Sequence, residues 1–531
     1  MPSPRRDPGR SIAAIGLALG LAGAAAGQDL SALRARLPDQ ALLLVEIAQP
    51  AVAVQQLAAA IGRVPDDLPD LVRTKLALGL SALRLALGDE PEAGAGQLAG
   101  GGAVAALGSV HGRWHAWLVA RPGDPTAAMA FCRRVAGRVV AEVHDGLLLV
   151  ASDDVALAGL RSPVPGHGGR WAQAELGDPA ALRGVIDLVA LRALAGTAAP
   201  TLVALDGGGR WLLGPLVHAV EHGSRLQFAV DGGERLQLRV RVDASVRTAA
   251  FGALLPERGE RASLLLPHGG LAAVQLDRRL AALLRTPERW LAPSDALAVQ
   301  GFLSIVDALD GVRSSFVDDL MEGIGEPFVL HVLPAPTWAE NGPPPPLRLP
   351  GFVVAAPIAP AAADIAWRLA QAFALVANAE RVQRGQAAFT LRATRHDDGR
   401  GLVAELPPWT GPGAPPLDRA LTPTLYLRHG HLLVASTTAA ADAVVAAIGA
   451  AAPTPAGDRL ELRGPELAAW LAQHREIVEL GRMLDEGHDR AEVQRHFDTV
   501  DAVARAVARM LLVVEADAAA TTATLSLERA R

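Results

Sequence analysis

The chain has 531 residues, half of them hydrophobic and a fifth charged, with a formal net charge of −6. That much apolar surface is enough for two or more cores. A small acidic balance with no basic run of five residues offers nothing to a polyanion, which excludes nucleic acid as a partner, and the single cysteine, Cys132, excludes an internal disulfide and any zinc site of several thiolates.

At the N-terminus, Arg5, Arg6 and Arg10 precede an apolar stretch over 12–26 that closes on AGAAAGQ. This is the layout of a secretory signal peptide cleaved after Ala26. The stretch is shorter than the ~18–20 residues of a spanning helix, and Gly16, Gly20 and Gly23 interrupt it. No later apolar run escapes Arg, Asp or Pro for long, so the expectation is an exported chain in the periplasm or at the cell surface, with no transmembrane helix once mature.

The first elements follow LPDQALLLVEI at 37–47. WLVA at 117–120 reads as a strand running into a proline turn, after which Ala128, Phe131, Cys132 and Val135 mark one face of a helix. DGLLLVASDD at 145–154 reads as a strand ending at Ser152, with Ser152 as the cap of the next helix. Leu182, Val185, Ile186 and Val189 predict a helix over 178–194. QFAV and ERLQLRV, either side of Asp231-Gly232-Gly233, predict a hairpin.

Similar writing returns further along. LPHGGLAAVQL at 266–276 repeats the first motif 229 positions on, FVVAAPIAP at 352–360 matches WLVARPGDP 235 on, and GHLLVASTT at 430–438 matches GLLLVASDD 284 on. RMLLVVE at 509–515 matches RLQFAVD, again 284 on. The separations rise in chain order, which predicts duplication. The predicted fold is α+β: two tandem related modules, each an antiparallel or mixed sheet with helices packed on one face. The signal peptide occupies 1–26, the first module 27–253 and the second 254–531, with an insertion near 379–428. Within that insertion FTLRATRHDDGRGLVAEL predicts a hairpin before PPWTGPGAPP, and Leu467, Trp470, Leu471 and Ile477 predict a helix over 465–480. Glycine- and proline-rich stretches at 92–103, 162–169 and 334–350 read as surface loops.

WLVARPGDPTAAMAFCRRV and DGLLLVASDDVALAGL resemble the strand, small-residue turn and helix of exported bacterial proteins grouped only as a domain of unknown function, DUF3352. The resemblance implies an exported setting and a fold. It supplies no catalytic motif.

The sharpest chemical candidate is HAVEH at 218–222. His218 and His222, one helical turn apart, can share a zinc ion while Glu221 serves as general base, the spacing of the inverted zinc-peptidase motif. Glu288, downstream in TPERW, is a poor third ligand, and a helix end stopped by Gly223 accounts for the same residues. His488, Glu492 and His496 share a helix face, but Asp489 with Glu492 is also a capping pair. His111 and His115 fall on one side of a strand, His474 on the apolar stripe of its helix, and Asp318, Asp319, Glu322 and Glu326 on an acidic, solvated helical face. Ser152 occupies an esterase-elbow position without the G-x-S-x-G turn, and GAGQLAG at 94–100 lacks the strand a dinucleotide fingerprint needs. These residues point to an exported, non-catalytic cell-envelope protein without a cofactor, acting on an unknown envelope protein or ligand through a binding or scaffolding surface. The alternative is a zinc-dependent hydrolase using His218, Glu221 and His222.

Overall fold

A computed structural model describes residues 30–47, 101–110, 113–134, 139–161, 171, 176, 180, 182–195, 207–232, 235–244, 250–256, 260–262, 266–289, 291, 293–310, 315–334, 349–409, 411, 417–448, 453–455, 457–487 and 489–529. The expected signal peptide, GAGQLAG, His111 and His488 lie outside them. The fold is α+β, helices with extensive antiparallel sheet, and the chain separates into two units. The first takes Met1–Val203, Leu216–Ala244 and Ala520–Arg529; the second takes Ala204–Pro215 and Ser245–Ala519, with the last two residues.

In the first unit the strands are β1 (Ala41–Ile47), β2 (Ala103–Val110), β3 (Arg113–Ala120), β4 (Val140–His144), β5 (Leu147–Ala151), β6 (Leu182–Asp187), β7 (Arg225–Gly232) and β8 (Arg235–Val242). The helices are α1 (Ser31–Arg34), α2 (Pro125–Arg134), α3 (Asp154–Arg161), α4 (Leu188–Ala195) and, from Leu216 onward, the end of α5 (Gly207–His222). Short loops dictate the hairpins: Asp145 and Gly146 both adopt positive φ, the two-residue turn whose twist matches flanking strands. The described strands run β4-β5-β3-β2-β1-β6-β7-β8, each pair antiparallel, and a strand from the far end of the chain closes the edge beside β8. Leu44, Trp117, Val119 and Leu149 form the core beneath Leu157 and Leu160 of α3.

The second unit holds β9 (Glu260–Ala262), β10 (Ala272–Leu276), β11 (Phe328–Leu333), β12 (Gly351–Pro357), β13 (Thr390–His396), β14 (Gly399–Glu405), β15 (Thr424–Arg428), β16 (His431–Ala435), β17 (Pro453–Pro455), β18 (Asp458–Arg463) and β19 (Val507–Ala516); the closing strand of the first unit is β20 (Thr521–Arg529). Its helices are α6 (Leu280–Arg285), α7 (Pro293–Asp310), α8 (Pro360–Gln383), α9 (Thr438–Ile448), α10 (Gly464–Glu486) and α11 (Arg490–Ala506). The main sheet runs β13-β14-β15-β16-β12-β11-β10-β18-β19, again antiparallel at every pairing. β9 pairs separately with β17. Val329, Val353, Leu433 and Tyr426 pack under Val444 of α9, while α7 and α8 share a smaller cluster of Val306, Ala362, Ala366 and Leu369. No helix among the described residues is long and apolar enough to cross a membrane.

Two local expectations need correction. Residues 182–187 form β6, and only 188–195 are helical. Val185 and Ile186 are β-branched, and the missing side chain of Gly184 lets Leu44 O and the Phe228 ring approach to where a Cβ would stand 2.4 Å from each. With strand edges on both sides, sheet pairing outweighs helical periodicity. Ser152, in turn, is not the helix cap. Its backbone N–H and Oγ pair with the carbonyl and N–H of Ala116, as those of Ser436 pair with Phe352. Capping falls one residue later, where Asp153 accepts from Ala156 N at 2.8 Å and Thr437 from Ala440 N at 3.2 Å.

Candidate functional site

HAVEH occupies the last turn of α5, and its surroundings fix that turn in place. Ala219 points inward, fully buried. Gly223 N donates to Ala219 O, and a Cβ at Gly223 would lie 2.5 Å from Val242 Cγ1, so only glycine fits at the stop. Arg192 of α4 donates to the carbonyls of Val220 and Gly223 at 2.9 and 2.7 Å, a cation on the negative end of the helix. Asp243, following β8, accepts from the backbone N–H groups of Ser224 and Arg225.

On this anchored turn the His218 and His222 ring centroids are 4.2 Å apart. Ligand atoms of His218, Glu221 and His222 all lie within 4.8 Å of one another. Nδ1–H of His222 donates to the His218 carbonyl at 2.9 Å, which orients the ring and leaves Nε2 as its metal-facing nitrogen. His218 is half-buried, and burial, then the neighbouring His222, pushes its pKa down, with Glu221 opposing. It therefore stays in the neutral form that ligates metals. A tetrahedral zinc would need these atoms about 3.3 Å apart, a rotation that exposed Glu221 and His222 can make.

The grouping contains the three motif residues and no other His, Cys, Asp or Glu among the described residues. Glu288 instead lies in the turn Pro287–Arg289 of the second unit, where Gln300 approaches its carboxylate at 3.4 Å. The arrangement can hold a divalent ion at an open coordination site. As a ligand, however, Glu221 is no longer placed as a separate general base.

Ser152, His115 and Asp153 also meet. Asp153 Oδ2 lies 3.1 Å from His115 Nδ1 and Ser152 Oγ lies 3.5 Å from the same nitrogen. A nucleophile relay needs the serine and the acid on opposite ring nitrogens, so this trio lacks the geometry.

His474 is buried with Nδ1 on the Trp470 carbonyl at 2.8 Å, a core position. Glu492 follows the N-cap Asp489, which accepts its N–H at 2.8 Å. The acidic face is tied down: Arg285 bridges Asp318 and Glu322, and Asp319 accepts from Ser315 N at 2.6 Å.

Two buried charge clusters were missed in the sequence. Glu46, fully buried, meets Arg183 at 2.6 Å and Arg34 at 3.6 Å. Asp458 accepts from Asp277 N at 2.9 Å and pairs with Arg278, all three nearly sealed from solvent. The one signal for the first was an acid inside the apolar run LLLVEI. Beside Asp277 and Asp458 a recess also lined by Glu515 has room for about one water molecule.

Comparison of the chain with protein-family models, curated proteins and solved structures gave no match.

Proposed function

We propose that the chain is an exported cell-envelope protein built from two copies of one α+β module, acting through a binding or scaffolding surface rather than a catalytic centre. The shared strand register carries this reading. Without the β13–β14 hairpin, the second order β15-β16-β12-β11-β10-β18-β19 parallels β4-β5-β3-β2-β1-β6-β7 in the first. Val45 faces Ala105 and Gly184; Val274, 229 positions on, faces Leu330 and Leu460. Val150 and Val434 face Leu118 and Val354, while Val230 and Val514 face Leu182 and Asp458, both at the separation of 284 found in the sequence. For β3 and β12 the separation becomes 236, matching buried Trp117 with buried Val353 rather than with exposed Phe352. One residue of slip would turn the side chain to the other face.

Polar residues differ at matched positions: Glu46 against Gln275, His115 against Gly351, Asp153 against Thr437. Backbone surface is retained while chemistry drifts, as a scaffold allows. The exported setting rests on the N-terminal 26 residues and on the family resemblance.

A second reading, a zinc hydrolase at His218, Glu221 and His222, is favoured by their convergence on one turn. Native mass spectrometry of protein purified from the envelope fraction separates the readings. A chain beginning at Gly27 with no bound zinc fits the first. One zinc per chain, lost in His218→Ala, replaces it with the second, and an uncleaved chain confined to the cytosol overturns export.

A further inference from the structure

His218, Glu221 and His222 still need a role once hydrolysis is set aside, because the fold does not require them where they stand. The separation of 284 that matches β7 with β19 carries the last turn of α5 onto the last turn of α11, where the three positions hold Ala502, Arg505 and Ala506. Each helix runs into its strand within two residues, so this turn closes without imidazole or carboxylate. Packing leaves the triad unexplained. The carbonyl groups beside it are already taken: His222 Nδ1–H holds that of His218, and Arg192 holds those of Val220 and Gly223. What remains for an ion is a donor set of two imidazoles and one carboxylate, whose ligand atoms lie within 4.8 Å of one another, with Glu221 and His222 exposed.

We propose that this turn is a labile site for a first-row transition-metal dication, copper(II) before zinc(II), in which Glu221 is a ligand and no hydrolysis follows. The proposal rests on the binding-surface reading above and gives that surface an ion as its ligand. Imidazole nitrogen selects copper, nickel and zinc, with copper(II) at the top of the affinity order, whereas calcium and magnesium need a cage of oxygens. Three side chains leave at least one coordination position to water. Two of the three stand in solvent, so the ion exchanges readily and the chain is expected unloaded as purified. With Glu221 on the ion, no further carboxylate among the described residues joins the group to take a proton from that water, which separates capture from catalysis.

Equilibrium competition with a metallochromic chelator, run at neutral pH on the full mature chain after EDTA treatment and dialysis, tests this with Cu2+, Zn2+ and Ca2+ in turn. One Cu2+ per chain is expected, with nitrogen ligands in its electron paramagnetic resonance spectrum, Zn2+ held about tenfold or more weakly, and no Ca2+. His222→Ala should weaken Cu2+ by about tenfold or more and Glu221→Gln by about threefold or more, both with an unchanged circular dichroism spectrum. His268→Ala, at an exposed histidine of the second unit, should change nothing. Absence of Cu2+ binding, binding that survives both substitutions, or Ca2+ held as tightly as Cu2+ overturns the proposal and leaves the scaffold reading standing. Cleavage of a peptide substrate by the zinc-loaded chain, lost in Glu221→Gln, overturns both.

Discussion

His331 sits at the middle of β11, between Ala273 and Val353, with no exposure and, among the described residues, no hydrogen-bond partner for either ring nitrogen. Burial pushes its pKa down to about 4. An unfolded chain binds that proton near 6.5, so below 6.5 the unfolded state holds more protons and stability falls until about pH 4, by about 3 kcal/mol in all. Asp458 acts in the opposite direction. Burial, against the pull of Arg278, pushes it up to about 6; the folded state then takes up the proton first, and stability rises as pH falls from 6 toward the ordinary carboxylate value. In the wild type the two offset each other. His331→Leu removes one side, so the variant should gain roughly 2–3 kcal/mol on the wild type between pH 7 and pH 4.5. Urea unfolding at both pH values measures it, and a gain independent of pH would remove His331 from the account.

At the scale of elements, the cap of α9 offers a test within the chain's own vocabulary. Thr437 accepts from Ala440 N, and Asp153 plays the same part for α3. Thr437→Ala should cost about 1 kcal/mol of second-unit stability and Thr437→Asp should restore it, read as shifts in the urea midpoint. The role of Ser436 as a strand clasp was invisible in VASTT because its partner, Phe352, lies 84 residues away. Hairpins 225–242 and 390–405 and the helix from Gly464 were legible, since their periodicity and turn residues are local. Residues 182–187 fit the helical period and do not alternate as a strand, and the edge that settles the matter, β1, is remote in sequence. The same distinction governs the sites. HAVEH is readable because one turn of helix supplies all three groups; the partners Glu46 and Arg183 stand 137 residues apart, and Arg278 and Asp458 stand 180 apart.

At the scale of the whole chain, the last strand belongs to the first unit. β20 runs antiparallel to β8 from Thr521 opposite Val242 to Glu528 opposite Arg235, and fully buried Thr521 donates to the carbonyl of Ala244, 277 residues earlier. Such a contact closes a long loop, and its entropy is recovered only when the pairing forms. The first sheet is therefore complete only once the C-terminal residues are in place. β8 has the most to lose: Arg235, Leu236, Leu238, Arg239 and Arg241 are exposed even with β20 present, so few buried contacts hold it. Ending the chain at Ala519 should speed amide hydrogen exchange in β8 at 235–242 and leave β12 and β16 of the second unit as protected as in the full chain. Faster exchange in β12 with β8 unchanged would mean that the C-terminal strand supports the second unit. Its dependence on β8 register would then have no thermodynamic weight.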